Sequence, residues 1–328
     1  MRYFSHFYSK IVISGVLCMK HAFFNFLKKI PIPICGLILG MVSLGNLLYS
    51  KGFSFWGNFF DLAGLFFMLL ILLKLVFTIR HLLESLKDPI IGSVSPTFTM
   101  AWMVICVYLN RIFPHSAFVY FIWLLAIFLH FLLMVYFIAL HILPQKIGMV
   151  HIYPSWFITF VGLGVVPTTA AAFNVEIGRM VLWPALLFYF ILLPIIIHRI
   201  FIFKKMHEST LPLITILTAP GSLCLAAYLT VIEHKFSFFV FGLFVLSQAL
   251  YFLTVFMILP LLRLPFYPSY AAFTFPLVIS ATAVSLLAKN YPHLDFFLTP
   301  LSVVELLIAF LMVSYVLVRY SLFLSKKS

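Results

Sequence analysis

The sequence predicts an all-α integral membrane protein with ten transmembrane helices arranged as five helical hairpins. Of its 328 residues, 64% are apolar and only 9% are charged, against roughly one quarter charged in a soluble domain. Apolar stretches of about 20 residues, the length that crosses a bilayer, follow one another with short connections. Lys and Arg collect on alternate connections between these stretches. Together these observations predict one multi-pass domain.

The chain begins with a basic segment, residues 1–30, that we predict to be cytoplasmic. Met19 is a second candidate start ahead of a basic amphipathic stretch that ends at Lys28 and Lys29, so we hypothesise that residues 1–18 are absent from the mature protein. The transmembrane domain is predicted over residues 31–323, and residues 324–328 are predicted to be a short cytoplasmic tail.

Breaks at charged residues, Pro and Gly divide the apolar sequence into ten predicted spans. Most connections between them are short, so consecutive spans are expected to pair as antiparallel hairpins. The predicted spans cover residues 31–50, 54–82, 96–113, 116–143, 154–174, 178–203, 211–231, 236–262, 267–289 and 295–323.

The distribution of basic residues orients these spans. Fifteen of the 21 Lys and Arg lie on the same side as the N-terminus, five lie on the other side, and Lys74 lies inside the second span. Because positive residues collect on the cytoplasmic side of alternate loops, both termini are predicted to be cytoplasmic in the cell (inner or plasma) membrane. The net charge of +13 then reflects membrane topology and requires no nucleic-acid partner.

Odd-numbered and even-numbered spans differ in composition. The even spans hold 26 of the 40 Phe and the odd spans hold seven, whereas Gly, Ala, Ser and Thr make up 35 of 103 odd-span residues and 21 of 139 even-span residues. Bulky apolar side chains face lipid without penalty, and small residues permit close helix approach or leave space along an axis. We therefore expect an inner ring of odd helices around a pore and an outer ring of even helices. A tightly packed solid core is the alternative.

The odd spans also carry features of a conduit. Pro residues inside them remove backbone donors and bend the helices. Their interiors contain no Asp, Glu, Lys, Arg or His, which favours a passive path over a proton-coupled carrier, because proton binding needs a titratable group. The predicted pore-lining or kink positions are Gly36, Gly40, Gly162, Pro167, Thr168, Pro220, Gly221, Thr274 and Pro276.

A few ionisable residues inside the even spans have predicted structural roles. Lys74 is expected to snorkel or to pair with another helix, and the alternative is that it faces the pore of a neighbouring subunit. His130 and His198 are expected at lipid-facing or subunit contacts. Glu305 is assigned to a position one turn into the tenth span, where the dipole of a helix N-terminus favours a carboxylate, with no role in transport.

The sequence offers no pattern typical of an enzyme, a metal site or a cofactor site. Its four Cys are scattered without ligand spacing. Metal-dependent chemistry requires clustered carboxylates or histidines, and nucleotide chemistry requires a Gly-rich phosphate loop. None of these is apparent, so no catalytic activity, metal or cofactor is expected.

Four short motifs resemble the tellurite-resistance/dicarboxylate transporter family, which includes TehA-type bacterial proteins and the plant guard-cell slow anion channels. The motifs lie at residues 87–100, 154–162, 211–228 and 273–276, and the likeness covers roughly residues 31–323. The resemblance implies ten helices in five hairpins, a pore lined by odd helices and a homotrimer. In this family a phenylalanine on the ninth helix plugs the pore, and the matching residue is Phe275.

The resemblance and the residue pattern together predict an anion channel or facilitator. It would pass small inorganic or carboxylate anions across the lipid bilayer through a pore gated by Phe275. The alternative is a secondary carrier or exporter of dicarboxylate, sulfite or tellurite-related anions.

Overall fold

The computed structural model describes residues 23–144 and 148–326, and within these ranges the chain is helical without strands. Eight helices there are long and apolar enough to cross a membrane, and a ninth is added if Phe23–Lys29 and Ile34–Ser50, which meet at 78°, form one bent span. This confirms the all-α multi-pass class, while the ten-helix hairpin arrangement stays a prediction. The hypothesis about residues 1–18 lies outside the described ranges.

The helical segments that correspond to the predicted spans are numbered α1 to α10. Two short helices, Phe23–Lys29 and Ile79–Ser85, lie outside this numbering. The segments are α1 (Ile34–Ser50), α2 (Ser54–Phe77), α3 (Pro89–Ile112), α4 (Ala117–Ile142), α5 (Trp156–Ala172), α6 (Val175–Phe203), α7 (Glu208–Val231), α8 (Ser237–Leu261), α9 (Pro268–Asn290) and α10 (Pro292–Ser325).

Two helix boundaries differ from the prediction for identifiable reasons. The third segment begins at Pro89 instead of residue 96, because the Asp88 carboxylate caps it by accepting hydrogen bonds from the N–H groups of Ile90 and Ile91 at 2.9 and 3.0 Å. The second segment ends at Phe77 instead of residue 82, since a break at Thr78 separates it from Ile79–Ser85.

Burial alternates along the chain as composition suggested. In the apolar windows of α3, α7 and α9, between 72% and 94% of residues are buried, whereas in α2, α4, α6, α8 and α10 the share is only 28% to 44%. Most of α1 is also buried. The small-residue helices therefore form the interior, and the Phe-rich helices turn much of their surface outward, as lipid contact permits.

The first hairpin shows how glycine permits a tight turn and close packing. Gly52, between α1 and α2, has a φ of 89°, a conformation that is strained for other residues. Further along the same pair, a Cβ added to Gly45 would lie 2.2 Å from Asp61 Oδ1. The two helices thus approach each other more closely than any larger residue would allow.

The inner helices change type partway across. Segment α7 is a 3₁₀ helix over Glu208–Thr218 and an α-helix over Ala219–Val231, with Pro220 in the first α-helical turn. Segment α9 is a 3₁₀ helix over Pro268–Phe273 and an α-helix over Phe275–Asn290. Segment α5 alternates short α-helical and 3₁₀ pieces. Pro lacks an N–H donor, so such transitions are natural at these positions.

Two predictions for ionisable residues in the even helices are wrong. His130 does not face lipid: it is fully buried, and its Nδ1 lies 2.9 Å from the Thr99 hydroxyl of α3. Glu305 does not lie near a helix N-terminus: α10 is already α-helical at Asp295, so Glu305 lies about three turns further along and is fully buried. Both residues were assigned from their place on an even-numbered helix, which does not show that their side chains face inward.

Lys74 has the structural partner that was expected. It is buried, and its ammonium group donates to the backbone carbonyls of Leu27 and Lys28 at 2.9 and 3.1 Å. These carbonyls belong to the last turn of Phe23–Lys29, where a cation also interacts favourably with the helix dipole. Lys74 therefore fastens the short N-terminal helix to α2.

Candidate functional site

Two cavities lie between the odd-numbered helices. The first, called here the proximal cavity, is lined by the N-terminal portions of α1, α3, α5, α7 and α9 and contains about 710 Å³ of empty space, its open end included. The second, the distal cavity, is lined by later parts of α1, α3, α5 and α9 and contains about 690 Å³ on the same basis. Small side chains and helix breaks thus leave space inside the bundle.

Phe275 lies between the two cavities. Among the described residues it is the one that lines both of them. Its side chain is buried, and it begins the α-helical part of α9 directly after the break at Thr274. A single phenyl ring therefore borders the space on either side.

The linings of the two cavities differ in chemistry. The proximal cavity is almost entirely apolar, with Leu39, Ile90 and Ile216 typical of its wall. The distal cavity is richer in hydroxyl and amide groups. Its polar lining residues are Ser43, Asn46, Ser50, Thr168, Thr169, Thr282 and Ser285, and none of the described residues around either cavity is charged.

Close contact between α1 and α9 holds the backbone on which Phe275 sits. The Thr274 hydroxyl donates to the Gly36 carbonyl at 3.0 Å. A Cβ added to Gly40 would lie 2.5 Å from both Cβ and Oγ1 of Thr274 and 3.1 Å from the Phe275 nitrogen, and one added to Gly36 would lie 3.2 Å from the Ala271 Cβ. Glycine on α1 is therefore required for the position of the α9 break.

The predicted site residues fall into three groups. Five border the cavities beside Phe275, namely Gly36, Gly162, Pro220 and Pro276 around the proximal cavity and Thr168 around the distal one. Gly40 and Thr274 form the contact between α1 and α9.

Pro167 and Gly221 make up the third group and lie against outer helices. A Cβ added to Gly221 would be 2.8 Å from the Tyr189 hydroxyl of α6, and one added to Gly178 of α6 would be 3.1 Å from the Pro167 Cα. These two positions serve helix packing and lie away from the cavity walls.

Sequence reasoning missed several residues of the site. Met100 and Phe157 line the proximal cavity, and Asn46 lines the distal one, where its amide donates to the Val104 carbonyl at 3.2 Å. Asn46 could have been found, since it is an amide inside an otherwise apolar span. Met100 and Phe157 fall inside the motifs at residues 87–100 and 154–162, but their residue types do not separate them from ordinary core residues.

Comparison with known sequences decides the family. The family described as voltage-dependent anion channel matches residues 29–320, most of the chain. The chain belongs to this family. Membership in the voltage-dependent anion channel family confirms the resemblance drawn from the four motifs and implies anion substrates in a membrane setting. It also places the chain in a class of channels and transporters, which is not an enzyme class.

An archaeon contains a protein that is similar to this chain. An uncharacterized transporter of Methanocaldococcus jannaschii is 25% identical over 288 residues, covering 77% of this chain and 82% of that protein. The similarity therefore extends over more than three quarters of each protein.

Proposed function

We propose that this protein is an anion channel or facilitator in which the Phe275 ring closes a path between the proximal and distal cavities. The observation that carries the proposal is the position of Phe275 as the residue shared by both cavity walls. A large rigid ring among small neighbours such as Ala271 and Ala272 occludes a narrow passage. Removal of the ring would join the two spaces.

The proposed membrane arrangement has ten helices in five hairpins, with α1, α3, α5, α7 and α9 as the inner ring. The alternation of burial between odd and even helices supports it. The excess of Lys and Arg on one side supports cytoplasmic termini. The homotrimer rests on the family resemblance, and cross-linking of the protein in its native membrane would test it.

The chemistry of the cavities suits an anion better than a cation. Hydroxyl and amide groups line the distal cavity, and no described carboxylate lines either cavity. A polar lining without negative charge can replace part of an anion's hydration and does not attract cations. Basic residues on both sides of the membrane would raise the local anion concentration.

The test is anion flux in proteoliposomes with chloride, nitrate or malate gradients. The Phe275→Ala variant should raise the flux of at least one of these anions by an order of magnitude or more. The matched control is Phe157→Ala, which enlarges the proximal cavity without removing the ring that is shared with the distal one. Equal flux from wild type and Phe275→Ala at equal incorporation would refute the gate.

A proton-coupled carrier is the second candidate function, favoured by one buried carboxyl group, Glu305, that lies near α9. The reversal potential separates the two candidates. An imposed pH gradient shifts the reversal potential of a coupled carrier, because protons then move with the anion, and leaves that of a channel unchanged.

A further inference from the structure

Glu305 lies in a buried polar cluster behind the gate helix. It is fully buried on α10, and its neighbours include Gln248 of α8 and Ser280 of α9. The Gln248 amide nitrogen donates to the Ser280 hydroxyl at 3.3 Å. The Gln248 carbonyl oxygen and both Glu305 oxygens have no well-formed hydrogen bond among the described residues.

The cluster contains no positive charge. Within the described residues Glu305 forms no ion pair, and Tyr251 of α8 is the titratable group that faces it. Segment α9 presents the neutral Ser280 hydroxyl there. The charged groups at the nearby helix ends, Lys289 and Asp295, are exposed, and Asp61 of α2 already pairs with Arg111.

A carboxylate in such a place is strongly disfavoured, because burial removes its hydration and no cation compensates for the loss. A carboxylic acid is neutral and can donate one hydrogen bond. The Gln248 carbonyl oxygen is an acceptor without a partner in the same cluster, and it can receive that hydrogen bond when the amide turns toward Glu305. The cluster therefore suits the protonated form of Glu305.

We propose that Glu305, together with Gln248 and Ser280, is a proton-binding site whose occupancy controls anion flux past Phe275. This inference rests on the proposed channel function. It goes beyond that function by assigning a ligand, the proton, to a site on an outer helix.

A change in the protonation of Glu305 would reach Phe275 through α9. Ser280 and Phe275 lie on the same α-helix a little more than one turn apart. Ile279 and Thr282, on either side of Ser280, line the distal cavity. When Glu305 loses its proton, the new charge must gain water or better donors, and the distal cavity is a nearby space that can hold water. Solvation from there requires α9 to shift, and a shift of α9 moves Phe275.

The first experiment measures chloride flux in proteoliposomes from acid to alkaline pH. Wild-type flux should change several-fold over this range, whereas Glu305→Gln, a neutral analogue of the protonated side chain, should hold the acid-side flux at every pH. The reversal potential should not shift with a proton gradient. Ser280→Ala, which removes the contact on α9, should weaken the pH dependence several-fold.

Two control variants isolate the site. Glu84→Gln makes the same chemical change at an exposed position on Ile79–Ser85 and should keep the wild-type pH dependence. Tyr251→Phe removes the other titratable group that faces the cluster and should also keep it. Loss of the pH dependence in either control would overturn the assignment to Glu305.

The second experiment detects the proton directly. Infrared spectra of the folded wild type should contain the carbonyl stretch of a protonated carboxylic acid, which disappears in Glu305→Gln and persists in Ser280→Ala. A spectrum without this band, or pH-dependent flux that survives in Glu305→Gln, would overturn the inference. Absence of anion flux from both wild type and Phe275→Ala would instead refute the proposed function.

Discussion

The Thr274 hydroxyl donates a 3.0 Å hydrogen bond to the backbone carbonyl of Gly36, joining residues 238 positions apart in the sequence. The same hydroxyl hydrogen is shared with the Ala271 carbonyl, whose oxygen lies 2.7 Å from Thr274 Oγ1, so the hydroxyl spans the break in α9 as well as the contact with α1. Because Phe275 follows immediately, this hydroxyl fixes the start of the helix that carries the ring.

Replacement of this hydroxyl should loosen the gate. Thr274→Val keeps the branched shape and removes the donor, so the Gly36 carbonyl loses its side-chain partner and stability should fall by about 1–2 kcal/mol. Basal anion flux should rise, since the α9 break is less firmly held. Thr274→Ser keeps the hydroxyl and should resemble wild type. Thermal unfolding in detergent and flux in proteoliposomes would measure both effects, and identical behaviour of the Val and Ser variants would contradict the role of the hydroxyl.

A side chain at position 40 should lower the stability of the protein. The Cβ of Gly40→Ala would lie 2.5 Å from two atoms of Thr274, and overpacking of this kind lowers stability by about 1–3 kcal/mol. The matched control is Gly242→Ala on α8, where a Cβ meets nothing within 4 Å and better helix propensity should leave stability equal or slightly higher. Equal melting temperatures for the two variants would show that α1 and α9 are not in tight contact.

The ion pair between Asp61 and Arg111 should contribute more to stability than the other described ion pairs. Asp61 is fully buried, and its carboxylate lies 2.7 Å from the guanidinium group. Asp61→Asn should lower stability by about 3 kcal/mol, because it leaves Arg111 without its partner in a partly buried place. Arg179→Gln breaks exposed contacts with Glu176 and Glu233 and should change stability by less than about 1 kcal/mol. Thermal unfolding of the two variants in the same detergent would reveal the difference, and a larger effect at Arg179 would reverse this ranking.

Lys74 should hold the short N-terminal helix in place. Lys74→Met retains the bulk of the side chain and removes the donors to the Leu27 and Lys28 carbonyls. Limited trypsin digestion should then cut faster after Lys28 and Lys29, while flux through the bundle is retained. Unchanged cleavage rates at these sites would mean that other contacts of Phe23–Lys29 are sufficient to hold it.

Composition predicted which helices lie inside, and the reason is physical. Lipid-facing helices carry bulky side chains such as Phe118 and Phe238, both of which are exposed, whereas close packing and internal space require small residues such as Gly36 and Gly40. This signal is summed over whole helices and therefore does not depend on exact boundaries. The likeness at residues 273–276 then singled out Phe275, which composition treats as an ordinary core residue.

Composition could not predict which way single residues on the outer helices face. His130 and Glu305 both belong to Phe-rich, mostly exposed helices, yet each faces inward. Their direction depends on helix rotation, which is set by packing against neighbours such as Thr99 and Ser280. The outer segments are apolar nearly all round, so their sequence does not specify which face is buried.

The most direct test of the account is a series of decreasing side-chain size at one position. Chloride flux should be measured in proteoliposomes for wild type, Phe275→Leu, Phe275→Val and Phe275→Ala at equal incorporation, with Phe273→Ala as the control. Phe273 is fully buried two residues earlier and borders neither cavity among the described lining residues. The account predicts that flux rises as the side chain at 275 becomes smaller, with Phe273→Ala near the wild-type value. Flux independent of side-chain size at 275, or raised equally by Phe273→Ala, would contradict it.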